Sequence, residues 1–565
     1  MTKIFWVISI FIFSTNLGFA QKETHNRNNL LHYLKTRSDV KVTEVEKDIL
    51  KLQYPNGKLL YKNIGDFRQD NKSLQKMEYS PNFDSTIIDL NSIDTSLYSN
   101  MYSFWQEVPL GNFRTLLVGD INNNGFAELY GQMKDYTSPY SDIVAFEMNH
   151  QEKFIFKHKY DNRTVIARSI FDVDGNANNE LVLLKNFNDT IINWNVNAFQ
   201  YYKKSSDSSL ATELSFSFQP KDSNNQQNDN LFGHWDGDDH TDQIFILPSN
   251  PLLINIYEYN HIQNNFIKIF EYDYYHLDLF YSGFSIGDFD QDGKTEFFCG
   301  SIHGKVLSIE NCGNDCYEIN YNGMVDTYNA YLCGATNDLD GNGKNEIWIA
   351  GDSFFDGESI TRITIFEASG NNSYHIVGRI DLKGIFSLDA GNIQVIDVDK
   401  DGKEEVLFGL DMTVIILKFA GSLEQQKYEV FYFKRHNWEN NNMGYYGANL
   451  YNMVDDERDD ERQELLINMW DYRTIYEGRW FNRIYKPNYL VNVKKENGII
   501  PVIYNLYPVY PNPFNPQTKI KFDIIESSEV SVKIFSILGE EIITLLEKET
   551  SPGSYSLSWD ARDYN

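Results

Sequence analysis

A nine-residue acidic motif recurs along this 565-residue chain and constrains its fold more than any other feature. The clearest copy runs from Asp288 to Glu296, with carboxylates at positions 1, 3, 5 and 9 and glycine at position 6. Five copies share this frame and are numbered here as loops 1, 2, 4, 5 and 6. Their candidate ligands are Asp120, Asn122, Asn124 and Glu128 in loop 1; Asp172, Asp174, Asn176 and Glu180 in loop 2; Asp288, Asp290, Asp292 and Glu296 in loop 4; Asp338, Asp340, Asn342 and Glu346 in loop 5; and Asp397, Asp399, Asp401 and Glu405 in loop 6.

The side-chain oxygens of such a loop predict a calcium site. Oxygens at alternate positions of a tight turn converge on one point, calcium takes six to eight oxygen ligands, and glycine permits the sharp turn. Two carboxylates about 4 Å apart repel by roughly 4 kcal/mol at an effective dielectric of 20. A solvated acidic turn is the alternative for one copy, but five copies in one frame favour bound ions. Ligand charge ranks loops 4 and 6, with four carboxylates each, as the tightest sites.

The residues around the loops indicate strands and not helices. An EF-hand requires a glutamate at position 12, where this chain has Cys299, Ile349 or Phe408. Short apolar runs such as Leu116–Val118 precede the loops, and runs such as Phe297–Phe298 follow them. Such runs, bounded by turn residues, are typical of strands. Each loop is therefore predicted to join two strands of a hairpin.

Two degenerate copies complete the series. Loop 3 has His234 at the first position and Asp242 at the ninth, and loop 7 is predicted to run from Asp456 to Glu464 with Arg458 at the third. Whether these two loops bind metal stays open. The seven first positions are 50 to 62 residues apart, which is enough for a loop and four strands. Four-stranded units at this spacing predict an all-β fold with a seven-bladed β-propeller.

Residues 112–487 resemble FG-GAP/VCBS repeats, the blades of the integrin α-chain propeller and of many bacterial surface proteins. The resemblance implies that each calcium loop joins the first two strands of a blade on one face of the disc. It also implies several structural Ca²⁺ ions and a binding or adhesion role. The predicted propeller domain covers residues 106–490. Residues 21–105 form a partly loop-like region, with 69–99 expected to be rich in loops, and this region could close the propeller.

The first 20 residues have the pattern of a secretory signal peptide. Lys3 provides positive charge, Ile4–Phe13 is apolar, and Gly18-Phe-Ala20 fits a cleavage site. The apolar run is too short to span a bilayer, and no transmembrane segment is expected elsewhere. Export of the mature protein is therefore predicted.

Residues 503–565 form a second predicted domain. Alternating apolar residues after a proline-rich segment indicate a small immunoglobulin-like β-sandwich. The run Tyr510-Pro-Asn-Pro-Phe-Asn-Pro, with Ile537-Leu-Gly-Glu-Glu-Ile and Trp559-Asp-Ala-Arg-Asp, resembles the type A C-terminal sorting domain of the type IX secretion system. The resemblance implies the secretion machinery as a partner and a secreted or cell-surface location. The sequence stops at Asn565, where family members continue for one or two more strands, so the domain is expected to be incomplete.

Charge and cysteine content narrow the possible partners and bonds. A net charge of −30 and a pI near 4.7 argue against nucleic acid or an anionic membrane as partner. Cys312 and Cys316 flank a short turn and predict a disulfide in an exported chain, with zinc as the alternative. Cys299 and Cys333 are predicted either to form a second bridge or to stay as buried thiols.

The sequence contains no catalytic motif in a suitable context. Gly283-Phe-Ser285-Ile-Gly287 matches the G-x-S-x-G elbow, but it runs into loop 4 where the elbow requires a helix. Catalytic residues are therefore assigned to none, and the chain is predicted not to be an enzyme. The first hypothesis is a calcium-stabilised module that binds an extracellular glycan or protein. The alternative is a secreted polysaccharide-active lyase or hydrolase built on the same propeller.

Overall fold

The computed structural model describes residues 41–560, apart from short gaps. The gaps are 47–48, 54–58, 64–77, 100, 113–114, 135–140, 161–163, 190–193, 207–208, 221–228, 239, 248–252, 274–283, 302–303, 356–357, 386–391, 400, 411, 424, 437–442, 454–462, 472–478, 488–493, 497–502, 514–516, 527, 537, 540 and 551. The predicted signal peptide, residues 1–20, lies outside the described residues. Among those residues the regular structure is strand, except for one 3₁₀ turn at Thr95–Tyr98, so the all-β prediction is confirmed.

Five strands precede loop 1. The first three form an antiparallel sheet of their own, and the next two join sheets formed later in the chain. They are β1 (Lys41–Glu46), β2 (Ile49–Gln53), β3 (Leu59–Asn63), β4 (Glu78–Asp89) and β5 (Tyr102–Val108).

Seven sheets of the described residues follow one another along the chain. Sheets 1, 2, 3, 4 and 6 are antiparallel meanders in sequence order, and sheets 5 and 7 each include a strand from before loop 1. Sheet 1 contains β6 (Leu117–Gly119), β7 (Glu128–Lys134), β8 (Ser141–Met148) and β9 (Phe154–Lys159). Sheet 2 contains β10 (Thr164–Phe171), β11 (Glu180–Asp189), β12 (Trp194–Lys204) and β13 (Ala211–Phe218). Sheet 3 contains β14 (Asp229–Gly233), β15 (Asp242–Leu247), β16 (Leu253–Asn260) and β17 (Asn265–Asp273). Sheet 4 contains β18 (Ser285–Gly287), β19 (Glu296–Gly300), β20 (Lys305–Gly313) and β21 (Cys316–Met324).

The remaining three sheets of this series begin with two or three hairpins in sequence order. Sheet 5 contains β22 (Leu332–Thr336), β23 (Glu346–Phe355), β24 (Glu358–Gly370) and β25 (Ser373–Lys383). Sheet 6 contains β26 (Asn392–Ile396), β27 (Glu405–Leu410), β28 (Thr413–Phe419) and β29 (Tyr428–Arg435). Sheet 7 contains β30 (Met443–Tyr451), β31 (Glu464–Asp471) and β32 (Arg479–Pro487), and its fourth strand is β5.

The hydrophobic core lies between neighbouring sheets. Trp348 of sheet 5 is fully buried and packs in one cluster with Phe408 of sheet 6. Six such clusters join consecutive sheets, and a seventh joins sheet 7 to sheet 1 through residues such as Leu466 and Leu129. The second strand of each sheet is covered on both faces, which explains the unbroken apolar runs after each loop.

Strand β4 was not expected from the sequence. The region 69–99 was predicted to be rich in loops, but β4 pairs in parallel with the outer strand β25 and extends sheet 5 to five strands. The loop prediction was wrong for residues 78–89. Pro81 in β4 is compatible with this position because proline is tolerated on edge strands.

The C-terminal region forms a separate pair of sheets. One sheet contains β33 (Lys494–Glu496), β34 (Asn505–Leu506), β35 (Gln517–Ile524) and β38 (Gly553–Asp560), and the other contains β36 (Ser528–Phe535) and β37 (Glu541–Thr550). Both sheets contribute to one cluster, in which Leu557 is fully buried and Leu546 nearly so. Among the described residues, no helix is long and apolar enough to span a membrane.

Candidate metal centres

The carboxylate at position 9 occupies the same structural position in every loop. In all seven sheets it is the first residue of the second strand and is buried. In sheets 1 to 6 the backbone N–H of the position 2 residue donates to it, as Phe289 does to Glu296 at 2.7 Å. The other five bonds of this kind are Ile121 to Glu128 at 2.9 Å, Val173 to Glu180 at 2.9 Å, Trp235 to Asp242 at 3.2 Å, Leu339 to Glu346 at 3.1 Å and Val398 to Glu405 at 2.7 Å. In sheet 7 the N–H of Met453 donates to Glu464 at 2.9 Å.

These carboxylates have the properties expected of metal ligands. The second carboxylate oxygens of Glu128, Glu180 and Glu296 are buried and accept no hydrogen bond. Burial, with the loop's own aspartates nearby, raises the pKa of Glu296 to about 8 and that of Glu180 to about 8. A buried anion without a partner is costly, and a calcium ion would supply the missing charge and contact. The residues present therefore fit the ion.

Positions 1 and 6 close the turn. The position 1 aspartate accepts backbone N–H groups from inside the loop, and Gly293 donates to Asp288 at 3.0 Å. Gly293 has φ of 89°, a left-handed conformation that favours glycine. Loop 2 has Ala177 at this position with φ of 65°, and its N–H still donates to Asp172 at 2.7 Å. The bond keeps the loop geometry although alanine is strained there.

The predicted ligands converge in several loops. In loop 4 the four carboxylates Asp288, Asp290, Asp292 and Glu296 can each place one oxygen within 4.8 Å of the others. Three carboxylates meet this condition in loop 2 and in loop 5, where they are Asp172, Asp174 and Glu180, and Asp338, Asp340 and Glu346. In loop 1, Asp120 Oδ1 and the amide oxygen of Asn122 each accept the backbone N–H of Asn124 at 3.1 Å, so these two oxygens lie close together.

Loops 3, 4 and 5 also contact the sheet that follows. The N–H of Asn372, in the turn between β24 and β25, donates to Asp290 of loop 4 at 2.6 Å. The N–H of Asp315 donates to Asp236 of loop 3 at 2.9 Å, and Gln426 donates to Asp340 of loop 5 at 3.0 Å. The loops therefore hold neighbouring sheets together in addition to closing their own hairpins.

The Cys312–Cys316 pair supports one of these contacts. The structure joins the two cysteines in a disulfide, with Cα atoms 5.0 Å apart, across the turn that carries Asp315. Cys299 and Cys333 are buried thiols in the core. Burial raises the pKa of Cys299 well above its usual value, which makes this thiol unreactive.

Sequence reasoning predicted the third strand of each sheet but did not assign its acidic residues to the sites. Glu147, Glu258 and Glu310 lie directly opposite the position 9 carboxylates of loops 1, 3 and 4. Glu147 accepts the amide N–H groups of Asn122 at 3.0 Å and Asn124 at 2.9 Å, which fixes the orientation of both amides. Glu367 of sheet 5 likewise accepts a hydrogen bond from the side-chain amide N–H of Asn342 in loop 5 at 2.8 Å. These glutamates extend the acidic set beyond the nine-residue motif.

Loop 3 differs in the chemistry of its ligands. The His234 ring lies 2.8 Å from the carbonyl oxygen of His240 and so is engaged within the loop. Two three-residue clusters share Glu258: one has Asp236 and Asp242, and the other has Asp238 and His240. The pairing of His240 with Asp238 raises the pKa of this imidazole.

Part of loop 7 lies outside the described residues, because residues 454–462, including Asp456, Arg458 and Asp460, are not among them. Glu464, the residue predicted for position 9, begins β31 and is buried. The backbone N–H of Met453, 11 residues before it, donates to Glu464 at 2.9 Å. The predicted frame that begins at Asp456 stays a prediction.

Ser285 of the G-x-S-x-G match lies on β18, a strand of sheet 4. Its hydroxyl is buried and donates to the carbonyl oxygen of Gly334 at 2.7 Å. This hydroxyl holds sheets 4 and 5 together and does not lie on a strand-to-helix turn, so it lacks the context of a nucleophile.

The substitution Glu296→Gln is expected to have opposite effects with and without calcium. Glutamine keeps an acceptor for the Phe289 N–H but removes the charge. In EGTA the variant should melt higher than the wild type, because an uncompensated buried carboxylate is lost. In calcium it should melt lower, and the affinity of loop 4 should fall about tenfold or more, since ligand charge sets affinity. Differential scanning fluorimetry and calorimetric titration measure both effects.

The exposed carboxylate of Glu318, on β21 of the same sheet, provides the control. Glu318→Gln removes the same charge and should leave both melting temperatures nearly unchanged. Equal shifts for the two variants in calcium and in EGTA would contradict a role for Glu296 in metal binding.

Comparison with known proteins gives one family match and a set of distant structural matches. Residues 508–563 match the family model described as the secretion system C-terminal sorting domain. No curated protein matches the chain. One matching crystal structure is that of BBS1N in complex with ARL6DN, with 9% identity, a TM-score of 0.43 and coverage of 69% of this chain and 97% of that one. Another is the Nup133 β-propeller domain of Vanderwaltozyma polyspora, with 8% identity, a TM-score of 0.40 and coverage of 80% and 100%.

The family match confirms the prediction made from the Tyr510-Pro-Asn-Pro-Phe-Asn-Pro run. It covers β35 to β38, the strands that build the C-terminal core. Residues 508–563 are a C-terminal sorting domain of the type IX secretion system, and they mark the protein for export.

Proposed function

We propose that residues 106–490, with β5 as the closing strand, form a seven-bladed β-propeller of the FG-GAP/VCBS type with structural calcium ions. The support is the series of four-stranded sheets whose last member shares a core cluster with the first. The ions would be held by the carboxylates and amide oxygens of loops 1, 2, 4 and 5. The sorting domain would be of type A, with an immunoglobulin-like sandwich, and the mature protein would be secreted or attached to the cell surface.

We further propose that this propeller is a binding module for an extracellular glycan or protein. The observation that carries the proposal is the use of the loop carboxylates inside the scaffold. Asp288 binds its own turn, and Asp290 binds the turn of the next sheet. Calcium held in this way stiffens the propeller, and a stiff propeller positions its surface loops for a ligand. Partner recognition would use these loops and would depend on calcium indirectly.

A glycan array and an extracellular-protein array, each probed in calcium and in EGTA, test this function. We expect binding to one class of ligand in calcium, loss of binding in EGTA, and recovery when calcium is restored. Absence of binding on both arrays would overturn the proposal. Cleavage of arrayed polysaccharides into shorter products would instead support the alternative, a polysaccharide lyase or hydrolase.

A further inference from the structure

A lysine from the third strand lies inside loop 6. Lys418 is on β28, and its side chain is only 18% exposed. Its Nζ lies 2.6 Å from Asp399 Oδ2, 2.6 Å from Asp401 Oδ2 and 3.1 Å from Glu405 Oε1. Three of the four predicted calcium ligands of loop 6 therefore surround one ammonium group.

In sheets 1, 3, 4 and 5 the third-strand residue opposite the position 9 carboxylate is a glutamate, whereas in sheet 6 it is Lys418. The pairing of Val406 with Leu417 places Lys418 opposite Glu405, as Glu310 is opposite Glu296 in loop 4. Sheets 2 and 7 also have a lysine at this position, but those lysines turn to other partners. Lys203 lies 3.6 Å from Glu213, and Lys486 pairs with Glu152 and lies over the ring of Trp105. Of these three lysines, Lys418 is the one whose ammonium group lies among the carboxylates of its own loop.

The ammonium and a calcium ion would compete for the same oxygens. Calcium binds carboxylate oxygens at about 2.3–2.6 Å, and the Lys418 nitrogen is at nearly this distance from two of them. Two cations that share these ligands would repel strongly at short range. The lysine also places a positive charge 3.1 Å from the buried carboxylate of Glu405. Glu405 Oε1 accepts no hydrogen bond, like the corresponding oxygens of loops 1, 2 and 4, so the ion pair offsets the buried charge by proximity alone.

We propose that loop 6 is calcium-independent and that the Lys418 ammonium takes the place of the ion. This inference rests on the proposed calcium binding by the other loops. It contradicts the ranking by ligand charge, which placed loop 6 together with loop 4 as the tightest calcium sites. In loop 4, Lys294 lies 3.3 Å from one of the four carboxylates, that of Asp292, and has its shorter ion pair with Glu310 at 2.8 Å. Loop 6 instead places a tethered cation among three of its carboxylates, and chelators cannot remove that cation.

Hydrogen–deuterium exchange of the full chain with and without EGTA tests the proposal without any substitution. Peptides that cover residues 288–296 should lose protection in EGTA, and peptides that cover 397–405 should keep theirs within twofold. Loss of protection in both loops would overturn the role of Lys418. Protection of both loops in EGTA would instead overturn calcium binding as a whole, so the two failures are distinguishable.

Substitution of Lys418 should convert loop 6 into a calcium site. Lys418→Met is expected to bind one more calcium per chain than the wild type, counted by calorimetric titration and by metal analysis after gel filtration. Protection of residues 397–405 should then become EGTA-sensitive. Lys418→Arg keeps the positive charge and should leave the stoichiometry unchanged.

Lys427→Met, at the exposed position directly before β29, controls for the loss of one positive charge. It should also bind the wild-type number of ions. An unchanged calcium count in folded Lys418→Met would overturn the proposal. If Lys418→Met does not fold even in calcium, the exchange comparison on the wild type still decides.

Discussion

Removal of calcium with EGTA is expected to lower the melting temperature of the protein by about 10 °C or more. An ion present at 100 times its dissociation constant stabilises the folded state by about 2.7 kcal/mol, so four saturated sites contribute about 11 kcal/mol. At an unfolding entropy of about 2.1 cal/mol/K per residue, a change of 1 kcal/mol shifts the melting temperature of a propeller that covers residues 106–490 by roughly 1.2 °C. The buried glutamates of the emptied loops add to the cost, since they lose the partner of their second oxygen.

Thermal scans in calcium, in EGTA and in EGTA pre-loaded with equimolar calcium measure this effect. The pre-loaded chelator is the control and should reproduce the scan in calcium. Addition of magnesium to the EGTA sample should restore little of the loss, because magnesium requires a smaller octahedral site and dehydrates reluctantly. An identical melting temperature in all samples would contradict structural calcium in the loops.

The local geometry of the candidate metal sites could be predicted from the sequence. Nine consecutive residues define each loop, and alternation of acidic residues with a glycine at position 6 is visible without any knowledge of the fold. The strands on either side were also recognisable, because Phe297–Phe298 and similar runs are short and apolar. The sheets repeat at the spacing of the loops, so the repeat itself indicated four strands per unit.

The non-local part of the sites could not be predicted in this way. Glu147 follows Glu128 by 19 residues, and Lys418 follows Glu405 by 13. Only the register of the second and third strands brings each pair together. Loop lengths between these strands vary, so no fixed spacing marks the partner. A glutamate and a lysine at the same structural position have opposite consequences for a metal site, which the count of loop carboxylates could not show.

The error over β4 has a related cause. Strand β4 contains Pro81 and polar residues and pairs only through the edge of sheet 5, so it lacks the pattern of a central strand. Its pairing partner β25, and not its local sequence, determined the structure.

Strand β5 connects the beginning of the repeated sheets to their end. It pairs with β32 from Val108, opposite Asn482, to Tyr102, opposite Pro487. Val108 is 2% exposed and lies in the cluster that joins sheet 7 to sheet 1, together with Leu129 and Ile484. Each other junction in the series is formed by sheets adjacent in sequence, whereas this one depends on residues more than 370 positions apart.

Val108→Asp is therefore expected to be among the most destabilising single substitutions, at about 4 kcal/mol. It removes a buried aliphatic side chain, worth about 1.5–3 kcal/mol, and places an unpaired carboxylate in the junction of sheets 7 and 1. Ser103→Asp introduces the same charge on the exposed face of β5, opposite Lys486, and should change stability by no more than about 0.5 kcal/mol. Urea unfolding of both variants in calcium measures the difference. Unfolding of Val108→Asp at the same urea concentration as Ser103→Asp would contradict the role of β5 as a closing strand. A charge on the buried face of a closing strand should destabilise both of the sheets that the strand joins.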